Sequence, residues 1–203
     1  KITTIVNFIL DESGSMESIK ASVISGFNEY ISSLKKQKNK VLFTLTKFDS
    51  MGIRIPYVAV PVKDVEPLDN ESFKPGQMTP LYDAVVNTLN RVKEEVKMKN
   101  EKVAVLVAIM TDGLENASKE HNQQALTAII KELTGAGNWT FVFLGANQDS
   151  WATAQGWGIP KGNIIDWQPD VKGTMMAFNS MAMATASFSD EVQLRSDSGM
   201  SAN

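Results

Sequence analysis

Ile5-Val6-Asn7-Phe8-Ile9-Leu10-Asp11-Glu12-Ser13-Gly14-Ser15 is the stretch from which the rest of the chain is read. Its first six residues form an almost unbroken apolar run of strand length, as expected of a strand covered on both faces. A helical pattern follows at once, with Ile19, Val23, Phe27, Ile31 and Leu34 on one stripe. A strand that passes through a tight loop into a helix opens an α/β sheet, and ligands of such sheets bind at the carboxyl ends of the strands. Asp11, Ser13 and Ser15 lie in that loop. They alternate, so a sharply turned backbone aims all three at one point. Three hard oxygens at one point suit a hard cation such as Mg²⁺. Asp and Ser are also ordinary turn and cap residues, because their side chains bond nearby backbone N–H groups. The motif therefore takes its meaning from the rest of the chain.

Outward from the loop, the first helix is expected to end near Lys35-Lys36, where positive charge suits the helix dipole. Val41 to Phe48 is a β-branched and aromatic run, a second strand stopping at the Asp49-Ser50-Met51-Gly52 turn. Ile53 to Val62 is strand-like but holds Pro56 and Pro61, which marks an edge strand hairpin-paired to the one before. Residues 63–79 are irregular. Pro80 then opens a helix whose inner face is Leu81, Val85, Leu89, Val92 and Val96. Val103 to Met110 is a central strand ending at Thr111-Asp112-Gly113. A helix over about 118–134, a strand over 139–144, a short helix near 148–155, a short strand at 163–166 and a Met- and Ala-rich helix over 171–187 complete the pattern. Residues 1–188 are expected to form one domain and 189–203 a flexible polar tail. The alternation predicts an α/β fold: a doubly wound, mostly parallel central sheet with one antiparallel edge strand and helices on both faces.

Composition narrows the function. The chain has 203 residues, a net charge of −3 and no basic stripe, which gives nucleic-acid binding through phosphates no support. It has no cysteine, which removes disulfides, thiolate metal sites and cysteine nucleophiles together. No apolar run approaches the length of a membrane span. Lys1-Ile2-Thr3 runs straight into the first strand, so no signal peptide is expected, and the expected address is cytoplasmic.

Three strand-end loops carry oxygen donors. In a doubly wound sheet the first and fourth strands are neighbours, so Asp11 and Asp112 should converge at the switch point between them, with the Thr79 loop folded over the same crevice. Asp11, Ser13, Ser15, Thr79 and Asp112 are the candidate metal ligands. Thr79 is equally placed to cap the helix at Pro80, and Asp112-Gly113 also suits a turn. Asp49 lies at the same sheet edge and reads as a turn residue. Asp83 suits the first turn of its helix through the dipole. His121, the single histidine, is expected on a solvated helix position. No P-loop, Gly-x-Ser-x-Gly or nucleophile–base pair is present, so the chain is not expected to be an enzyme.

The set Asp11-x-Ser13-x-Ser15, Thr79-Pro80-Leu81-Tyr82-Asp83-Ala84 and Thr111-Asp112-Gly113 resembles the metal-ion-dependent adhesion site of von Willebrand factor type A domains, in residue identity and in order. The resemblance covers about residues 3–185. The run Phe141 to Asp149 is similar to stand-alone bacterial and phage members. One departure is Glu115, which comes one place later than the acidic residue that often follows Asp-Gly in the family. The resemblance implies a module that holds Mg²⁺ or Mn²⁺ and lets an Asp or Glu carboxylate of a protein partner complete the coordination. Two alternatives stand beside it: a Mg²⁺-dependent nucleotide or phosphate-ester binder or enzyme, and a self-assembly protein joined through the metal. Asp190, Glu191 and Asp197 of the expected tail offer a carboxylate from the same kind of chain, reaching its own crevice or a neighbour's, as a rival to the partner's.

Overall fold

The computed structural model describes residues 2–99, 101–147 and 149–199. Among them six strands form one sheet: β1 (Ile2–Asp11), β2 (Val41–Asp49), β3 (Gly52–Pro61), β4 (Lys102–Thr111), β5 (Trp139–Gly145) and β6 (Ile164–Asp166). Their order is β3-β2-β1-β4-β5-β6, every pair parallel except the β2–β3 hairpin. This is the doubly wound sheet with one antiparallel edge that the sequence pattern predicts. β1 and β4 are adjacent, with Leu10 opposite Met110, so the loops after both strands leave the sheet side by side.

Period-two alternation divides the core. Val6, Phe8 and Leu10 face helices α1 (Lys20–Lys35) and α5 (Val171–Asp197). Ile5 and Ile9 face helices α2 (Leu81–Met98), α3 (Gln123–Gly135) and α4 (Ser150–Gly156). Phe8, Phe27, Tyr30, Phe43 and Phe178 form an aromatic cluster under the first pair, Phe8 stacking on Phe178 with ring centroids 6.0 Å apart. The buried Tyr30 hydroxyl donates to Thr185 Oγ1 at 2.9 Å, satisfying an atom that burial would otherwise penalise. Gly26 lets α1 and α5 meet: a Cβ there would lie 2.3 Å from the Phe178 ring. At the edge, β3 is irregular. Pro56 and Pro61 lack N–H donors, Ala59 takes a left-handed φ of 45°, and the β2–β3 register shifts twice. No helix among the described residues is long and apolar enough to cross a membrane.

The structure corrects three local expectations. Helix α5 does not stop at 187. It runs to Asp197, because Ser189 and Val192 are buried and Val192 packs with Ile2 and Ala104. The Ile2 N–H also donates to Ser196 Oγ at 3.1 Å. The expected flexible tail from 189 is thus helical through Asp197, and residues 200–203 lie outside the described ones. Asp190 accepts from Asn39, while Glu191 and Asp197 pair along the helix with Arg195 and Gln193. They sit beside Ile2, nine strand rises or about 30 Å from Asp11, which removes them as internal ligands. Helix α3 begins at Gln123 rather than 118, because residues 115–121 wrap around carboxylates instead of coiling. His121 therefore lies in that loop, with Nε2 3.0 Å from Asn87 Oδ1, not on a helix. The short helix expected near 148–155 is α4, and Gln148 lies outside the described residues.

Candidate metal centre

The β1 strand carries Asp11 to the sheet edge, and the chain then turns through Ser13 into a short 3₁₀ segment, Gly14–Ile19. Asp11 Oδ1 accepts the Ser13 N–H at 2.7 Å, and Oδ2 accepts the Thr111 hydroxyl at 2.6 Å. Thr111 ends β4, so this bond ties the two central strands together at the crevice. Ser15 Oγ lies 3.3 Å from Ser13 Oγ and donates to Asp112 Oδ1 at 2.6 Å. Gly113 measures the remaining gap: a Cβ there would lie 3.7 Å from Ser15 Oγ and 3.9 Å from Thr79 Oγ1. All five sequence-predicted residues therefore come together. Asp11, Ser13, Thr79 and Asp112 are buried and Ser15 is exposed, so the cluster opens to solvent on the Ser15 side.

Thr79 does not cap α2. Pro80 occupies the cap position and makes no side-chain capping bond. The open N–H groups of that helix are met from across the crevice, Tyr82 by Glu115 Oε2 at 3.0 Å and Asp83 by Ser118 Oγ at 3.0 Å. Glu115 also accepts from the Ala117 and Ser118 N–H groups, so it braces the loop after β4 rather than facing the cluster. Asp83 reciprocates, accepting from the Lys119, Glu120 and His121 N–H groups. Thr79 and Asn116 close the seam, the Thr79 N–H donating to Asn116 Oδ1 at 2.8 Å and the Asn116 N–H to Thr79 O at 3.1 Å. Asn147, with a left-handed φ of 56°, donates from Nδ2 to Asp112 O at 2.9 Å and holds the loop from the β5 side.

Behind the cluster lies a charged network that sequence spacing does not reveal. Glu12 is buried and turned away from Asp11. Its Oε1 lies 3.1 Å from Arg54 Nη2 and its Oε2 3.2 Å from Lys47 Nζ. Arg54 also grips Asp49, Nη2 to Oδ2 at 3.2 Å and Nη1 to Oδ1 at 3.3 Å. Asp49 accepts the Met51 N–H at 2.8 Å as well, so it is the turn residue expected, tied in addition to Arg54.

Electrostatics set Asp11 and Asp112 apart. Among the described residues neither has an ion-pair partner. Burial pushes the Asp11 carboxyl up to about 6, opposed by its bonds from Thr111 and Ser13 and reinforced by the charge of Asp112. Burial also raises Asp112. Two desolvated carboxylates without a protein cation, ringed by hydroxyl oxygens, are a donor set that a hard divalent ion fits and a thiophilic metal does not. No three His, Cys, Asp or Glu side chains gather elsewhere among the described residues into a rival metal cluster. Asp11, Ser13, Ser15, Thr79 and Asp112 are the residues that would hold the ion.

Known structures agree on the architecture. Proximal thread matrix protein 1 from the mussel byssus superposes with a TM-score of 0.64 at 12% identity, over 88% of this chain and 46% of that one. A von Willebrand factor type A protein from Catenulispora acidiphila gives 0.58 at 14% identity, over 89% and 42%. The chain has the von Willebrand factor type A fold. Manganese-loaded TRAP protein of Plasmodium vivax shares this type A fold, with a TM-score of 0.57 at 16% identity over 86% and 71%. One structure of the mussel protein has a zinc-occupied adhesion-site motif. The chain spans less than half the length of the mussel and Catenulispora chains that it matches. No protein-family model and no curated protein sequence matches it.

Proposed function

We propose that this domain is a metal-dependent protein-binding module, in which a divalent cation held by Asp11, Ser13, Ser15, Thr79 and Asp112 is completed by an Asp or Glu carboxylate of a partner. One observation carries the reading: five oxygen donors, two of them carboxylates with no ion-pair partner among the described residues, converge at the switch point of the sheet and open to solvent at Ser15. A type A fold in which other proteins hold manganese or zinc supports it. Mg²⁺ and Mn²⁺ suit an all-oxygen donor set, and Mg²⁺ keeps positions that an outside oxygen can take. The surroundings favour a protein ligand. Met51, Met78 and Leu114 are 77%, 51% and 58% exposed on the loops around the donors, an adaptable apolar rim of the kind found at binding surfaces.

A carboxylate is favoured over a phosphate, because Lys47 and Arg54 are held by Glu12 and Asp49 instead of facing the crevice. On this reading the module binds and does not turn over substrate. The test is calorimetric titration of wild type and Asp11→Ala with Mg²⁺ and Mn²⁺, followed by partner capture from cell extract with Mg²⁺ or with chelator. One-site binding lost in the variant, and capture lost in chelator, are expected. Equal metal binding by both proteins overturns the site.

A further inference from the structure

Arg54 stands on the edge strand β3, outside the donor set, yet it joins two of the segments that build the site. It bonds Glu12, which lies between the donors Asp11 and Ser13, and Asp49, which starts the β2–β3 turn. The backbone extends the connection on both sides. The Glu12 N–H donates to Phe48 O at 2.8 Å, and Glu12 O accepts the Gly76 N–H at 2.9 Å. The Gly14 N–H donates to Gln77 O at 3.0 Å, where Gln77 is held at a left-handed φ of 64°. The Ser50 N–H donates to Met78 O at 3.1 Å, and the Met78 N–H returns to Ser50 Oγ at 3.2 Å. The loop of Asp11, Ser13 and Ser15 and the loop of Thr79 are thus both laced to the hairpin turn, and Arg54 is the side chain that locks the turn to Glu12. A planar guanidinium can hold two carboxylates at fixed angles, which an ammonium cannot.

We propose that Arg54 is a positioning residue for the metal centre: by holding Glu12 and Asp49 together it fixes the Asp11–Ser15 loop against the β2–β3 turn and so sets the affinity of the site for its cation. This rests on the metal-binding reading above and assigns its control to a residue that touches no metal. Groups bonded directly to metal ligands are worth about 10- to 100-fold in metal affinity, and Arg54, one contact further out, is expected to contribute no more than the lower end of that range.

Charge and position predict opposite results, which makes the inference testable. Arg54 is a cation near a cation site, so removing it through charge alone would tighten metal binding. Loss of positioning would weaken it. Arg54→Met and Arg54→Lys are compared with wild type by Mn²⁺ titration followed by electron paramagnetic resonance. Amide hydrogen exchange at Gly14, Gly76 and Met78 is measured in chelator, with no metal present. Weaker Mn²⁺ binding by up to about 10-fold is expected for Arg54→Met, a smaller loss for Arg54→Lys, and faster exchange at the three amides in both. The Glu12 and Asp49 side chains are only 5% and 8% exposed, so removing the guanidinium also costs stability, although Glu12 keeps Lys47 as a partner. If Arg54→Met does not fold, Arg54→Lys, which keeps the charge, decides alone: weaker binding supports the inference and unchanged binding overturns it. Unchanged or tighter binding by Arg54→Met, even with a lower melting temperature, overturns the role of Arg54. A wild-type protein that binds no Mn²⁺ overturns instead the site on which it rests.

Discussion

Replacing Asp11 with Asn should make the metal-free domain more stable at pH 8 while abolishing its response to metal. Burial raises the Asp11 carboxyl from an ordinary 3.8 to about 6. For an acid whose folded pKa is raised, the folded state binds more protons than the unfolded one between those values. Stability therefore falls as pH rises through the window from about 3.8 to about 6. The rise from 3.8 to about 6, at 1.36 kcal/mol per pH unit, gives a cost of about 3 kcal/mol once Asp11 is ionised, of which about 2.5 kcal/mol appears between pH 4 and pH 8. Asn copies the neutral form and escapes that cost. Its amide fits the site: the oxygen accepts the Ser13 N–H, and the NH₂ donates to Thr111 Oγ1, whose own proton can turn to Gly113 O at 3.1 Å. Release of Asp112 from a neighbouring charge acts in the same direction. Urea unfolding of both proteins in chelator, at several pH values from 4 to 8, should show the variant gaining on wild type by about 2.5 kcal/mol across the range. With Mg²⁺ at about 100 times its dissociation constant, wild type should recover about 2.7 kcal/mol and the variant nothing. Parallel pH curves, or wild type gaining on the variant as pH rises, would refute the account of Asp11 as a desolvated carboxylate awaiting a cation.

Glu115→Ala strips an acceptor from the Tyr82, Ala117 and Ser118 N–H groups, and thermal unfolding should show a loss of about 1–3 kcal/mol. Truncation after Phe188 uncovers Ile2 and Ala104 and removes the buried Val192. Chemical denaturation should register a loss of about 2–4 kcal/mol, and calorimetry an unchanged affinity for Mg²⁺, because the lost segment lies at the far end of the sheet. Gly26→Ala drives a methyl group into the Phe178 ring, and scanning calorimetry should record a destabilisation of about 1–3 kcal/mol.

Periodicity made the sheet legible. β1 and β4 are apolar throughout because both of their faces are covered, and the prolines of β3 mark it as an edge, so topology rules left little choice of order. Asp11, Ser13, Ser15, Thr79 and Asp112 were legible because order along the chain and the switch point together bring them to one crevice. Residues whose role depends on distant partners were not. Glu115 and Asp83 serve backbone N–H groups more than 30 positions away, and this is why a segment with helical composition stays a loop until Gln123. The capping role open to Thr79 was excluded only by the arrival of Glu115 from the other loop. Nothing in the neighbours of Arg54 announces Glu12, 42 positions earlier. The polar stretch after 187 lacks a strong apolar stripe, and its docking depends on Val192 meeting Ile2 and Ala104.

The irregular edges of the sheet bear on how densely such domains can be crowded. A straight, exposed strand is a template on which another chain can add by backbone pairing, the first step toward cross-β growth. Here β3 is bent by two register shifts, lacks donors at Pro56 and Pro61 and turns at Ala59, while β6 at the other edge is only three residues long. Neither border offers a ladder long enough to extend. Copies gathered at high local concentration should meet through their loops and helices instead of adding strand to strand.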